Sequence, residues 1–329
     1  MGKPNVNLQV LAGIQRNVKN KKWNCAHYGC EGEAIISHLL QQNGILDSIV
    51  ENGHAVLVKR TDPYKWNAHD EPLEFKVIGR TFTLSTKLFC NNHDTQLFKP
   101  IETDALNPYD YKTQLLLNYR TTSAEGRTKE IIIEEFTRVA KSLTATSDFK
   151  EYATDFCEMS NVGLRDINFY REQLWEDIEQ DSENFTFHVY EYPKIDICAS
   201  ASFSLCDDIT QNADLTFTLP VVFTHIIPIN GITYFILGHH KEHSSPEIEE
   251  FIMSWDELEM DVLGEKLTQL FAFRTEVWAM SPTLYSKISA KKKTDFLRLV
   301  GDGITKYPHQ APYPTKTMNL FEGLLGVEP

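Results

Sequence analysis

Two pairs of metal-type residues, Cys25-x4-Cys30 and Cys90-x2-His93, constrain this chain more than any other feature. Each pair is spaced so that both side chains can reach one ion from a single turn or helix start. The 59 residues between the pairs mean that the fold must bring them back together. Three thiolates and one imidazole make a closed tetrahedral zinc site with no open coordination position. Such a site is structural: it contributes folding free energy instead of activating water. The competing reading makes Cys25, Cys30 and Cys90 ordinary buried thiols and His93 a loop histidine, and the matched spacings favour the metal. Cys157, Cys198 and Cys206 stand singly in helix-like or strand-like patterns and read as core residues. Six cysteines in 329 residues do not make a disulfide scaffold, and closely spaced cysteines in a reducing compartment are metal ligands before they are bridges.

A chain of this length with 42% hydrophobic residues can bury two ordinary cores or one large one. The most apolar stretch, Val221 to Gly238, is interrupted by Thr224, His225, Pro228, Asn230 and Gly231. It lacks the ~20 continuous apolar residues of a membrane span, and reads as two buried strands around an Asn-Gly hairpin turn. Residues 1–24 contain no signal-peptide pattern, so a cytoplasmic protein without membrane attachment is expected.

Charge is divided along the sequence. The net formal charge is −14, yet residues 1–100 carry 12 Lys and Arg against 9 Asp and Glu, a net of +3, which leaves −17 for the remainder. Lys3, Arg16, Lys19, Lys21 and Lys22 precede the first metal pair with no acidic residue among them. That basic segment is either a phosphate-contacting element or a solvated arm.

The style of the sequence changes near residue 105, which suggests a zinc-stapled module over 1–104 and a larger body over 105–329. In the body, Tyr109–Tyr119, Lys129–Leu143 and Val162–Glu179 have apolar residues at helical spacing. Phe185–Tyr192, Ile195–Leu205, Leu215–Ile227 and Thr233–Leu237 read as strands. Ser245-Pro246-Glu247 and Ser281-Pro282 have the form of helix starts. Strands flanked by runs of helices predict an α+β fold with an antiparallel sheet followed by C-terminal helices.

The order of a cysteine pair, an apolar run ending in Ser37-His38, and then Phe89-Cys90-x2-His93-Asp94 resembles a treble-clef or HNH-type zinc finger. With Leu97-Phe98-x-Pro100-Ile101-Glu102, these blocks are similar to those of a family of uncharacterised bacterial proteins. The resemblance covers about 80 residues and brings no established activity. The HNH likeness implies His38 as the general base that activates water, and Asp94 as a ligand of a second, catalytic magnesium or manganese ion. Two departures count against it: Ser37 stands where an acidic residue or histidine is usual, and Thr81 to Phe89 contain no matching asparagine. The alternative gives His38 a structural hydrogen bond to a backbone carbonyl or a zinc-bound thiolate.

Other motifs are weaker. His239, His240 and His243 read as a solvated turn, His225 as a core histidine, and Lys291-Lys292-Lys293 as a solvated helix face. No phosphate-binding glycine loop and no nucleophile motif occurs. Three functions fit: a zinc-finger protein acting on or near nucleic acid, as a component of bacterial antiviral defence or of a mobile element; a protein-interaction or regulatory module with a purely structural zinc; or an HNH-like nuclease.

Overall fold

The computed structural model describes residues 6–61, 73–103, 106–205, 219–306 and 318–326. Cys206 and the residues flanking the 104/105 boundary point lie outside them. The fold is α+β, with eight helices, a seven-stranded antiparallel sheet and a separate two-stranded sheet among the described residues.

In chain order these are α1 (Val6–Lys19), β1 (Ile36–His38), β2 (His54–Arg60), β3 (Leu73–Gly79), β4 (Ser85–Lys87), α2 (Asn91–Leu97), α3 (Tyr111–Ala140) and α4 (Ser147–Gln180). Then follow β5 (Phe185–Pro193), β6 (Ile197–Phe203), β7 (Val222–Ile229), β8 (Ile232–His240), α5 (Pro246–Met253), α6 (Met260–Phe273), β9 (Trp278–Met280), α7 (Pro282–Lys287) and α8 (Ala290–Lys306). The large sheet has the order β3-β2-β9-β6-β7-β8-β5, and β1 pairs with β4.

Alternation along the strands sorts their side chains onto two buried faces. Val56, Ile197, Ala199, Phe235 and Leu237 point to one core, where α5 to α8 cover them and Phe271 stacks on Trp278 at 4.2 Å. Ala55, Leu57, Cys198, Phe223 and Ile236 point to the other core, shared with α3, α4 and the segment that carries the Cys/His pairs. The sheet is therefore the middle of three layers, and covering both faces explains why β7 and β8 read as almost unbroken apolar runs. The turn between them has Asn230 at φ 52° and Gly231 at φ 84°, the left-handed pair that a two-residue hairpin needs.

The helix starts at Ser245 and Ser281 are present, each Ser side chain accepting from the backbone N–H three residues on. The helices predicted over 109–119 and 129–143 are one helix, α3, and the one predicted from Val162 begins at Ser147. The joining segment Arg120–Thr128 is rich in Thr, Ser and Gly, but burial against the sheet and α4 overrides its weak propensity. Gly126 permits that approach: a Cβ there would lie 3.3 Å from Ile167 Cγ2. The basic N-terminal segment is largely α1, packed on α3. The large sheet takes β2 and β3 from before residue 104 and its other strands from after it, so backbone pairing crosses the proposed domain boundary.

Candidate metal centre

The two ligand pairs are brought together by a knuckle, a hairpin and a helix. In the knuckle, Cys25 N–H donates to Gly32 O at 2.7 Å and Cys30 N–H to His27 O at 3.2 Å, with Gly29 at φ 69° in the turn. Gly32 lies so close to the ligands that a Cβ would sit 3.0 Å from Cys90 Cβ and 3.4 Å from Cys30 Sγ. The knuckle is fastened to the β1–β4 pair through Ala26 N–H to Leu88 O and Ile35 N–H to Phe89 O, both at 2.8 Å. Cys90 is the N-cap residue of α2, and His93 falls in the first turn of that helix.

Cys25 Sγ and Cys90 Sγ each lie 3.4 Å from His93 Nδ1, Cys30 Sγ lies 3.8 Å from Cys90 Sγ, and all four ligand atoms fall within 4.8 Å of one another. A tetrahedron of zinc–ligand bonds near 2.3 Å has edges of about 3.8 Å. The donor atoms thus already stand close to the corners of a tetrahedral coordination shell, and the cluster can hold a metal ion. Burial first of all pushes the Cys25 thiol up to about 11. Burial also works against ionisation of Cys90, but hydrogen bonds from the His93 N–H and the neighbouring thiols outweigh it and set that thiol below its ordinary value. Metal binding here must therefore displace protons.

His27 supports the centre from above. Its ring lies 4.1 Å from that of His93 and 4.5 Å, edge-on, from Trp175, and its Nδ1 is 3.0 Å from Tyr119 Oη. Burial, then the charges of His93 and Arg171, lower its pKa to about 4, so it is neutral at pH 7. His27, Tyr119 and Trp175 tie the ligand helix to α3 and α4. Their roles depend on tertiary contacts, and only the position of His27 between the first two cysteines hinted at it.

His38 ends β1, where its Nε2 faces Arg80 O at 3.3 Å. Burial lowers its pKa, the Arg80 carbonyl opposes that, Arg120 adds to it, and Glu102 and Asp94 oppose it from nearby. Asp94 lies on α2 with its Oδ1 buried and without a hydrogen-bond partner. Glu102 is paired with Arg120 at 2.6 Å. Among the described residues no second group of three or more His, Cys, Asp or Glu converges, so His38, Asp94 and Glu102 share no ligand point. Ser37 is buried and accepts from Phe89 N–H at 3.3 Å, which makes it part of the hairpin.

The histidines of the sheet are placed more deeply than a solvated turn. His239 and His240 complete β8 and are 6% and 2% exposed, because the strand runs three residues past the expected end at Leu237. His225 is a fully buried core histidine, bonded to Ser200 Oγ at 3.0 Å and Asn118 Oδ1 at 2.7 Å. Cys198 is buried in the same core and Cys157 lies half-buried on α4. Lys292 pairs with Glu322 at 3.0 Å and Lys293 sits over Tyr285, so the lysine face of α8 is partly engaged.

No helix among the described residues is long and apolar enough to cross a membrane. No family model, no curated protein and no solved structure matches this chain.

Proposed function

We propose that the chain is a structural zinc protein that acts by binding nucleic acid through its basic N-terminal third. The observation carrying this reading is the convergence of Cys25, Cys30, Cys90 and His93 into a four-ligand set, which leaves a bound ion no position for substrate. Three sulfurs and one imidazole suit zinc, and the sequence of knuckle, hairpin and helix agrees with a treble-clef finger. A basic segment on an otherwise acidic protein can contact phosphate locally while the acidic body limits nonspecific binding. The test is anisotropy of labelled DNA and RNA over a salt series. Engagement of ~3 phosphates gives a slope of about −2 in log K against log salt for a single strand. Tight binding that ignores salt, or none at low salt, removes the nucleic-acid part and leaves a protein-interaction module.

The second reading, an HNH-like nuclease, draws on the unpartnered Asp94 Oδ1 and on the neutral His38 near it. It requires magnesium- or manganese-dependent cleavage that disappears in His38→Ala while zinc is retained. The binding reading predicts no cleavage above background in either protein.

A further inference from the structure

Beside the metal centre lies a cavity of about 540 Å³, a volume typical of small-molecule sites. The knuckle segment 21–31 forms one side, and Arg127 and Glu130 of α3 with Arg171 of α4 form the other. Four lining side chains are cationic, Lys21, Lys22, Arg127 and Arg171. Three of them have carboxylate partners at 2.8 Å: Lys21 pairs with Glu134, Lys22 with Glu33 and Arg127 with Glu130. Arg171 has no hydrogen bond or ion pair among the described residues. Arg127 is 4% exposed and its Nε has no acceptor. Burial chiefly holds its pKa below the ordinary value; Glu130 opposes this, and the charge of Arg171 adds to it. Two guanidinium groups thus repel each other at an open cavity, and an anion between them relieves that repulsion. The Trp23 ring is already taken by Lys21 Nζ at 4.3 Å and Arg127 Cζ at 4.9 Å. Tyr28, 76% exposed on the knuckle, presents a free aromatic face.

We propose that this cavity binds the phosphate of a nucleotide, free or within a strand, with Arg171 as the anchoring guanidinium and Tyr28 stacking on the base. The planar fork of arginine matches phosphate with two parallel hydrogen bonds, which a lysine cannot reproduce. Stacking on an exposed tyrosine tolerates any base. Choosing a nucleotide among possible anions rests on the nucleic-acid reading above; the cavity and its unpartnered guanidinium do not. Because Cys25 and Cys30 belong to the cavity wall, the metal also holds the site in shape.

The test uses the zinc-loaded full chain with three probes: inorganic phosphate, adenosine monophosphate and a roughly 12-nucleotide labelled single strand. Arg171→Gln is expected to weaken every bound probe by about tenfold or more, with partial recovery in Arg171→Lys. Zinc content and unfolding temperature, measured on the same samples, should stay at the wild-type values. Tyr28→Ala should weaken the mononucleotide and the strand but leave inorganic phosphate unaffected. Failure of all three probes to bind the wild type, or wild-type affinity in Arg171→Gln, overturns the proposal. Strand binding that survives Arg171→Gln removes this site and leaves the nucleic-acid reading standing. Arg171-dependent binding of phosphate and mononucleotide without the strand does the reverse.

Discussion

Gly32 shows how much of a metal centre can depend on an atom that is missing. The knuckle chain passes so near Cys90 and Cys30 that any side chain at this position pushes against the ligands themselves. Gly32→Val should weaken metal retention by roughly 1–3 kcal/mol, the usual range for overpacking, read as faster loss of metal to a chelator. Equal retention in the variant would mean that the knuckle is looser than its contacts imply. A second residue-scale effect belongs to His225. Burial holds its pKa down at about 3, against about 6.5 when unfolded. Both states are neutral above pH 6.5, so it contributes no pH dependence there. Below that the unfolded chain takes up a proton that the native core refuses, and stability falls by about 1.4 kcal/mol per pH unit until pH approaches 3. Urea unfolding between pH 6.5 and 5 should therefore have a slope smaller by about one proton in His225→Asn than in the wild type. At this scale the sequence was a good guide to what bonds, since side-chain chemistry and short spacings identify Cys25, Cys30, Cys90 and His93 as a set. It was silent on Gly32 and Arg171 and gave only a hint of His27, since the importance of all three comes from what lies across a gap in space.

Among the elements, α3 is the clearest case of tertiary structure overruling local preference. Arg120–Thr128 would break a solvated helix, and periodicity alone places a gap there. In the fold some of its polar groups find partners, Thr121 and Ser200 hydroxyls meeting at 2.5 Å and Arg120 reaching Glu102, while Thr122 Oγ1 and Ser123 Oγ are buried without one. The close α3–α4 crossing at Gly126 adds packing along the same stretch. Gly126→Leu should force the two helices apart and destabilise the protein by about 1–3 kcal/mol, visible as a lower unfolding temperature. No change would indicate that Ile167 and Leu164 can yield. The strands were legible because β7 and β8 are buried on both faces, and the hairpin because Asn230-Gly231 suits one turn geometry. The outcome at His239-His240 differs because histidines at the end of an apolar strand carry no periodic signal of their own.

Taken as a whole, the molecule does not keep its Cys/His cluster in a separate appendage. Cys25, Leu39 and Phe89 share one core with Leu116 of α3, Cys198 of β6 and Ile236 of β8. β2 joins the large sheet through β9, nearly at the other end of the chain. Such long-range pairing is invisible to a reading based on changes of sequence style, which sees only neighbours. It also makes a prediction: stripping the metal should lower the unfolding temperature reported by the tryptophans of the body, Trp255 and Trp278 included. An early, separate transition that leaves the body's unfolding unchanged would argue for an independent module.

Zinc K-edge X-ray absorption on the purified chain reads out whether Cys25, Cys30, Cys90 and His93 hold one zinc ion. One zinc per chain with three sulfurs near 2.3 Å and one nitrogen near 2.0 Å is the predicted result, and Cys90→Ser should lose it. A chain purified without zinc that cannot take it up, or zinc bound through oxygen ligands, would mean that these four side chains do not form a zinc site.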